Sequence, residues 1–187
     1  YDATPGTGNN TRSIVWRVTD ANSDGVGQTL SADKYTLITI KNANEIPQVT
    51  NIKGGTTPLD YVEGGAPATL EGALTVLDDT GNISSDNAIK GAVVRITTGL
   101  NAGDQLGYFD AAALSAAGWT QTGNDLSGTL TGTSGAVTIS YNYDTANGEI
   151  LLATTAGTAG KADYTTVMQK IGFRSISDDP TASNATR

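Results

Sequence analysis

Ala136-Val-Thr-Ile-Ser-Tyr-Asn-Tyr-Asp-Thr-Ala-Asn-Gly-Glu-Ile-Leu-Leu-Ala-Thr154 decides the fold class. Residues 136–143 alternate, so that Tyr141 and Tyr143 share one face of a strand. Residues 149–154 read as a second strand, and Tyr143-Asp-Thr-Ala-Asn-Gly148 lies between them. Asn147-Gly148 is the dipeptide that best supplies positive φ angles to a tight turn, so the stretch predicts an antiparallel hairpin. Outward from it, the same grammar recurs. Further strands are predicted at 13–19, 35–40, 48–52, 73–77, 92–97 and 129–130, separated by clusters of Gly, Asp and Asn. In the 13–19 strand, Ile14, Trp16 and Val18 fall on one face, which predicts core packing for that face.

One segment has a different period. Tyr164, Val167, Met168 and Ile171 recur at helical spacing within 162–171, with Asp163 as the expected N-cap, so one short helix plugs an end of the sandwich. Residues 110–118 read as a further single turn. The expected fold is therefore all-β, an antiparallel β-sandwich with one short helix.

Composition narrows the chemistry. The 187 residues contain no histidine and no cysteine. Ser-His-Asp and Cys-His catalysis are thereby excluded, as are disulfide staples and thiolate metal sites. Nineteen acidic against eleven basic residues give a net charge of −8. Such a surface repels phosphate backbones and anionic lipid, so neither nucleic acid nor membrane is an expected partner. No apolar run reaches the roughly 20 residues of a membrane span. Neither a phosphate loop nor a nucleophile elbow is present, and no enzyme is expected.

The charge suits hard cations, which take oxygen ligands. Asp20-Ala-Asn22-Ser-Asp24-Gly25 alternates three oxygen-bearing side chains before a glycine, as in the first half of an EF-hand loop. The twelfth position is Ser31 rather than a bidentate glutamate, with Asp33 the candidate to fold back in its place. The same residues also make ordinary hairpin turns, through side-chain bonds to local backbone. Asp78, Asp79, Asn82 and Asp86 form another acidic loop, where adjacent like charges are most easily tolerated around a cation.

A motif recurs. Pro5-Gly-Thr-Gly-Asn-Asn-Thr-Arg12 and Pro180-Thr-Ala-Ser-Asn-Ala-Thr-Arg187 are identical at four of eight positions, 175 residues apart. The first copy leads into the 13–19 strand, so the recurrence reads as a module length. Residues 1–44 are then the closing strands of a preceding module, or N-terminal strands completing the fold, and 45–187 the main module. If the second module lacks a closing strand, its open edge is expected to seek a partner, unless residues 13–40 fill the gap.

Several segments together resemble a family. Thr11-Arg-Ser-Ile-Val-Trp-Arg-Val-Thr-Asp20 resembles the closing strand of cadherin-like and chondroitin-sulfate-proteoglycan-type repeats in giant, type I secreted RTX adhesins of bacteria. Asn42-Ala-Asn44-Glu45-Ile-Pro47 is similar to the calcium-binding linker between cadherin modules, with Asn42 and Glu45 where aspartates are usual. Tyr61-Val-Glu63-Gly-Gly65 resembles the start of the next repeat, and Phe173-Arg-Ser-Ile-Ser-Asp-Asp-Pro180 its tail.

The resemblance implies an extracellular, cell-surface protein acting in cell adhesion and biofilm formation. Ca2+ would stiffen it, and its partners would be neighbouring repeats of the same chain. It also implies a linker ion held by Asn42, Asn44 and Glu45, with Glu63 and Asp104 from the following module. The leading expectation is a calcium-rigidified extender repeat. The alternative is an adhesin domain that recognises a peptide or glycan on a calcium-supported loop surface. In that reading Trp119, placed on a loop, and the nearby Tyr108 are the candidate ligand-binding residues.

Overall fold

Strong alternation at residues 138–156 produces the central hairpin, and the sheets assemble around it. The computed structural model describes residues 11–21, 23–27, 30–40, 46–52, 58–78 and 88–177. Among these, residues 11–40 belong to one compact unit and residues 46–78 with 88–177 to another.

The first unit is a two-stranded antiparallel hairpin, β1 (Thr11–Trp16) and β2 (Lys34–Thr39), in which Ile14 faces Thr36 and Val15 faces Tyr35. The Trp16 indole N–H donates to Thr36 Oγ1 at 2.9 Å. Beyond the strands, Arg17 holds Asp33 through two hydrogen bonds of 2.5 and 2.9 Å. Within this unit nothing covers the expected core face: Ile14, Trp16 and Val18 are 40%, 59% and 72% exposed. Alternation predicts which side chains share a face. It does not supply a second layer to cover them.

The second unit is the sandwich. Its strands are β3 (Gln48–Thr50), β4 (Ala68–Thr69), β5 (Thr75–Leu77), β6 (Gly91–Arg95), β7 (Asp104–Gly107), β8 (Trp119–Gly123), β9 (Ser127–Gly132), β10 (Thr138–Asp144), β11 (Glu149–Ala156) and β12 (Gly172–Ser175). One sheet has the order β6-β11-β10-β9-β8, a second β4-β12-β7, and β3 pairs with β5; every pairing is antiparallel. The fold is all-β, with two short helices among the described residues rather than one. In α1 (Ala111–Ala116), Asp110 Oδ1 accepts the Ala113 N–H at 2.8 Å as the N-cap.

The helix α2 (Lys161–Met168) buries Tyr164, Val167 and Met168, and Ile171 just beyond it, as the helical spacing requires. Its N-cap is Gly160 rather than Asp163. Asp163 stands at the third helical position and accepts the Gly160 N–H at 2.8 Å, the returning half of a capping box. The helix lies against β5, where Thr165 Oγ1 accepts the Val76 N–H at 2.8 Å and Gln169 Nε2 donates to the Leu74 carbonyl at 2.8 Å.

Inward-facing residues of the large sheet, Leu130, Ile139, Tyr141, Tyr143, Ile150 and Leu152, meet Leu106, Tyr108, Leu114, Tyr164, Val167 and Ile171 in one core. Each such side chain, fully buried, contributes about 1.5–3 kcal/mol of transfer free energy. The hairpin turn closes with Gly148 at φ 64°, the only positive φ in it; Asn147 has none. Asp144 replaces the expected Asn147 conformation by capping the turn, accepting from the Ala146 N–H at 2.8 Å and from Asn147 Nδ2 at 2.6 Å.

Candidate functional site

Asp20 and Asp24 are exposed, Gly25 bends the chain at φ 70°, and Asp24 Oδ1 accepts the Val26 N–H at 3.2 Å. This is the local side-chain-to-backbone bond that makes Asp common in turns. Asn22 lies outside the described residues.

Asp33 does not fold back onto the loop. Arg17 takes both its oxygens, and Tyr35 donates its hydroxyl to it at 3.2 Å. The guanidinium holds the Asp33 carboxyl below the usual carboxylate range, and Arg17 is raised in return. Ser31, at the position of the EF-hand glutamate, accepts the Val18 N–H at 2.9 Å.

Of the linker group, Asn42, Asn44 and Glu45 lie outside the described residues. Glu63 is exposed in the turn that Gly65 N–H closes on the Val62 carbonyl at 2.9 Å. Asp104 is in a strand, β7, and only 4% exposed. Its Oδ2 accepts the Asn101 N–H at 2.9 Å, and its carbonyl accepts the Tyr143 hydroxyl at 2.6 Å.

Of the third group, Asp79, Asn82 and Asp86 lie outside the described residues. Asp78, just past β5, is 4% exposed, and its carbonyl accepts Lys161 Nζ at 3.4 Å. Among the described residues, no three acidic side chains come together in a metal-binding group.

The candidate ligand-binding aromatics are core residues. Trp119 is not on a loop but opens β8, 4% exposed, with its ring lying over Gly132 on the neighbouring strand. Tyr108 is fully buried, edge-on to Tyr141. The β8 strand escapes a sequence reading because Thr, Gln and Gly fill it after Trp119, leaving no apolar alternation to read. Phe109, half-buried, packs under the Arg174 guanidinium at 4.4 Å from its ring centre. Arg174 also donates to Gln105 Oε1 at 2.8 Å and to Asp125 at 3.1 Å, joining β12, β7 and the β8–β9 turn.

The fold creates one feature that has no sequence signal. An open cleft of about 470 Å3 forms where Leu100, Asn101, Asp104, Thr145 and Ile176 meet. Those residues come from three separated parts of the chain, so no local spacing marks them. Its volume is in the range of small-molecule sites. The cleft combines apolar Leu100 and Ile176 with the Asn101 amide, the Thr145 hydroxyl and the Asp104 carboxylate.

Compared with known proteins, the chain matches no family model, no curated protein and no solved structure.

Proposed function

We propose that the chain is a structural repeat of a large cell-surface adhesin, an extender stiffened by Ca2+ at its polar loops. The observation that carries the extender reading over the ligand-binding one is the fate of the aromatic side chains. Among the described residues of the sandwich, Tyr61, Tyr108, Phe109, Trp119, Tyr141, Tyr143, Tyr164 and Phe173 are all buried or half-buried. They serve packing, and none presents an exposed ring for a glycan or peptide. The calcium part of the proposal is supported by the Asp20-Asn22-Asp24-Gly25 spacing, the net charge of −8 and the resemblance of the 42–47 linker.

The test is a thermal melt in calcium, in EDTA and in magnesium. A ligand that binds only the native state adds RT ln(1 + [L]/Kd), about 2.7 kcal/mol at a hundredfold excess over Kd. A calcium-specific rise of several degrees, lost in Asp20→Ala and Asp24→Ala, is the expected result. An unchanged melt removes the calcium proposal.

The cleft beside Asp104 favours the second reading, a module that binds a peptide or glycan. Under that reading Leu100→Arg, which fills the cleft mouth, abolishes attachment of the protein to cells or to a glycan surface. An extender tolerates the change.

A further inference from the structure

The five-stranded sheet runs β6-β11-β10-β9-β8, which leaves β6 at an edge. The two ends of the β6–β11 ladder fix the phase of its hydrogen bonds. The Ile96 N–H donates to the Gly148 carbonyl at 3.0 Å, and the Thr154 N–H to the Lys90 carbonyl at 2.9 Å. Antiparallel partners exchange both bonds at alternate residues, so residues 90, 92, 94 and 96 face β11. Gly91, Val93 and Arg95 therefore turn their N–H and C=O groups away from the sheet. Among the described residues nothing pairs with those groups, and the residues that carry them are exposed.

Such a row is a template for another strand, and native edges are ordinarily blunted by proline, bulges or free charges. β6 contains no proline, and its register with β11 runs without a bulge. Its one charged side chain, Arg95, is held along the sheet by Glu149, with Arg95 Nε donating to Glu149 Oε2 at 2.6 Å. Apolar exposure is concentrated at the same edge. Among the described residues of this sheet, the exposed large apolar side chains are Val93 and Leu151, 55% and 40% exposed. They are cross-strand partners, Leu151 opposite Val93.

Gly91-Ala-Val-Val-Arg95 is self-complementary about Val93. In an antiparallel pair with a second copy, Val93 meets Val93 and Gly91 meets Arg95. These are the residues whose backbone groups point outward, so every pair can exchange both its bonds. A β-branched pair is a favourable cross-strand contact. The long Arg95 faces a glycine, and the two guanidiniums stand at opposite ends of the pairing. Leu151 and Val93 of both copies then form one apolar row across the junction. On the core side the half-buried Ala92 and Val94 come together.

We propose that β6 is a homotypic docking edge, at which two copies of the chain pair antiparallel about Val93 and join their five-stranded sheets into one. The contact is isologous and closes a twofold dimer, with no free β6 edge left over. The pairing is short, so concentration decides whether it forms. It rests on neither the calcium reading nor the adhesin reading above.

The test uses the full chain. Light scattering after size exclusion is run from about 1 to about 100 µM, with residue-resolved amide exchange at both ends of the range. The expected mass at high concentration approaches twice the 19.1 kDa of one chain. Exchange at Val93 and Arg95 slows about tenfold or more, while Val94, already bonded to β11, changes less. Val93→Lys and, separately, Val93→Glu are monomers, because like charges then stand directly opposite across the twofold. Mixed in equal amounts, the two variants recover the dimer, because opposite charges now meet. Val93 is exposed, so near-UV circular dichroism and the melt of each variant at about 1 µM match the unsubstituted chain, which separates lost pairing from lost folding.

A single-chain mass over the whole range overturns the proposal, whether the β6 amides are protected or not. So does an oligomer that survives both substitutions, because another surface then holds it. Loss of the dimer in each variant with no recovery in the mixture overturns the twofold about Val93.

Discussion

Tyr108 and Tyr141 meet edge to face, ring centres 4.8 Å apart, yet only one of the two hydroxyls is hydrogen-bonded. Tyr141 donates to the Asn124 carbonyl at 2.6 Å and accepts from Gln121 Nε2 at 2.9 Å. The Tyr108 hydroxyl is buried with no partner among the described residues. An orphaned buried hydroxyl costs about 1–3 kcal/mol, whereas a satisfied one contributes about 1 kcal/mol net. Tyr108→Phe is therefore expected to stabilise the fold by about 1 kcal/mol, and Tyr141→Phe to destabilise it by about as much. Urea unfolding of both variants checks the opposite signs; a loss of stability in Tyr108→Phe would show that its hydroxyl is satisfied.

Alkaline pH provides a second test. Burial pushes the hydroxyls of Tyr108, Tyr141, Tyr143 and Tyr164 above the ordinary tyrosine range, because the phenolate is the charged form. A pKa raised in the folded state gives stability that is complete below the unfolded value, near pH 10. That stability is lost as pH rises beyond it. The melting temperature should be level up to about pH 9 and fall steeply above about pH 10. Phenolate absorbance should appear together with unfolding; core tyrosines that ionise in the intact fold would contradict the packing.

At the acid end the sign reverses. Asp144 is lowered first by Asn147 Nδ2 and then by the Ala146 N–H, and Asp33 by Arg17. A lowered carboxylate gives stability that is present above the unfolded pKa, near 3.9, and lost as pH falls through the folded value. Asp144→Ala should lower the melting temperature at pH 7, and by a smaller margin at pH 3, below the unfolded pKa. An equal deficit at both pH values would mean that the side chain acts through shape rather than charge.

Two glycines of β9 give a paired test of backbone approach. A methyl group on Gly128, at φ 156°, would lie 2.0 Å from the Thr122 carbonyl oxygen and 2.9 Å from the Tyr141 hydroxyl. On Gly132 its nearest neighbours are 3.9 Å away, which is ordinary contact with Trp119. Gly128→Ala is expected to cost about 3 kcal/mol or more, and Gly132→Ala less than about 1 kcal/mol. Thermal melts of the two variants decide it, and similar losses would refute the β8–β9 register.

The hydrophobic stripe of α2 and the β10–β11 hairpin are legible in the sequence because their signals are local. Tyr164, Val167, Met168 and Ile171 repeat at 3.6 residues, and Gly148 punctuates two alternating runs. β7 is not legible: Asp104-Gln-Leu-Gly107 is wholly buried although two of its four side chains are polar. It is made acceptable by partners far along the chain, Arg174 on Gln105 and Tyr143 on the Asp104 carbonyl. The candidate site divides in the same way. The alternating oxygens of Asp20, Asn22 and Asp24 are visible in sequence, while the cleft lined by Leu100, Thr145 and Ile176 exists only after folding.

Trp16 and Trp119 show where the boundary lies. Composition alone removes histidine and cysteine chemistry from the molecule, and local periodicity alone determines the β10–β11 hairpin and the hydrophobic stripe of α2. For Trp16, alternation names its neighbours Ile14 and Val18, but the ring is 59% exposed. For Trp119, a glycine-rich setting suggests a loop, but the ring is 4% exposed in β8. Period follows from backbone geometry and is carried by adjacent residues. Burial depends on whether another layer, remote in sequence, arrives to exclude water, and only the tertiary structure decides that.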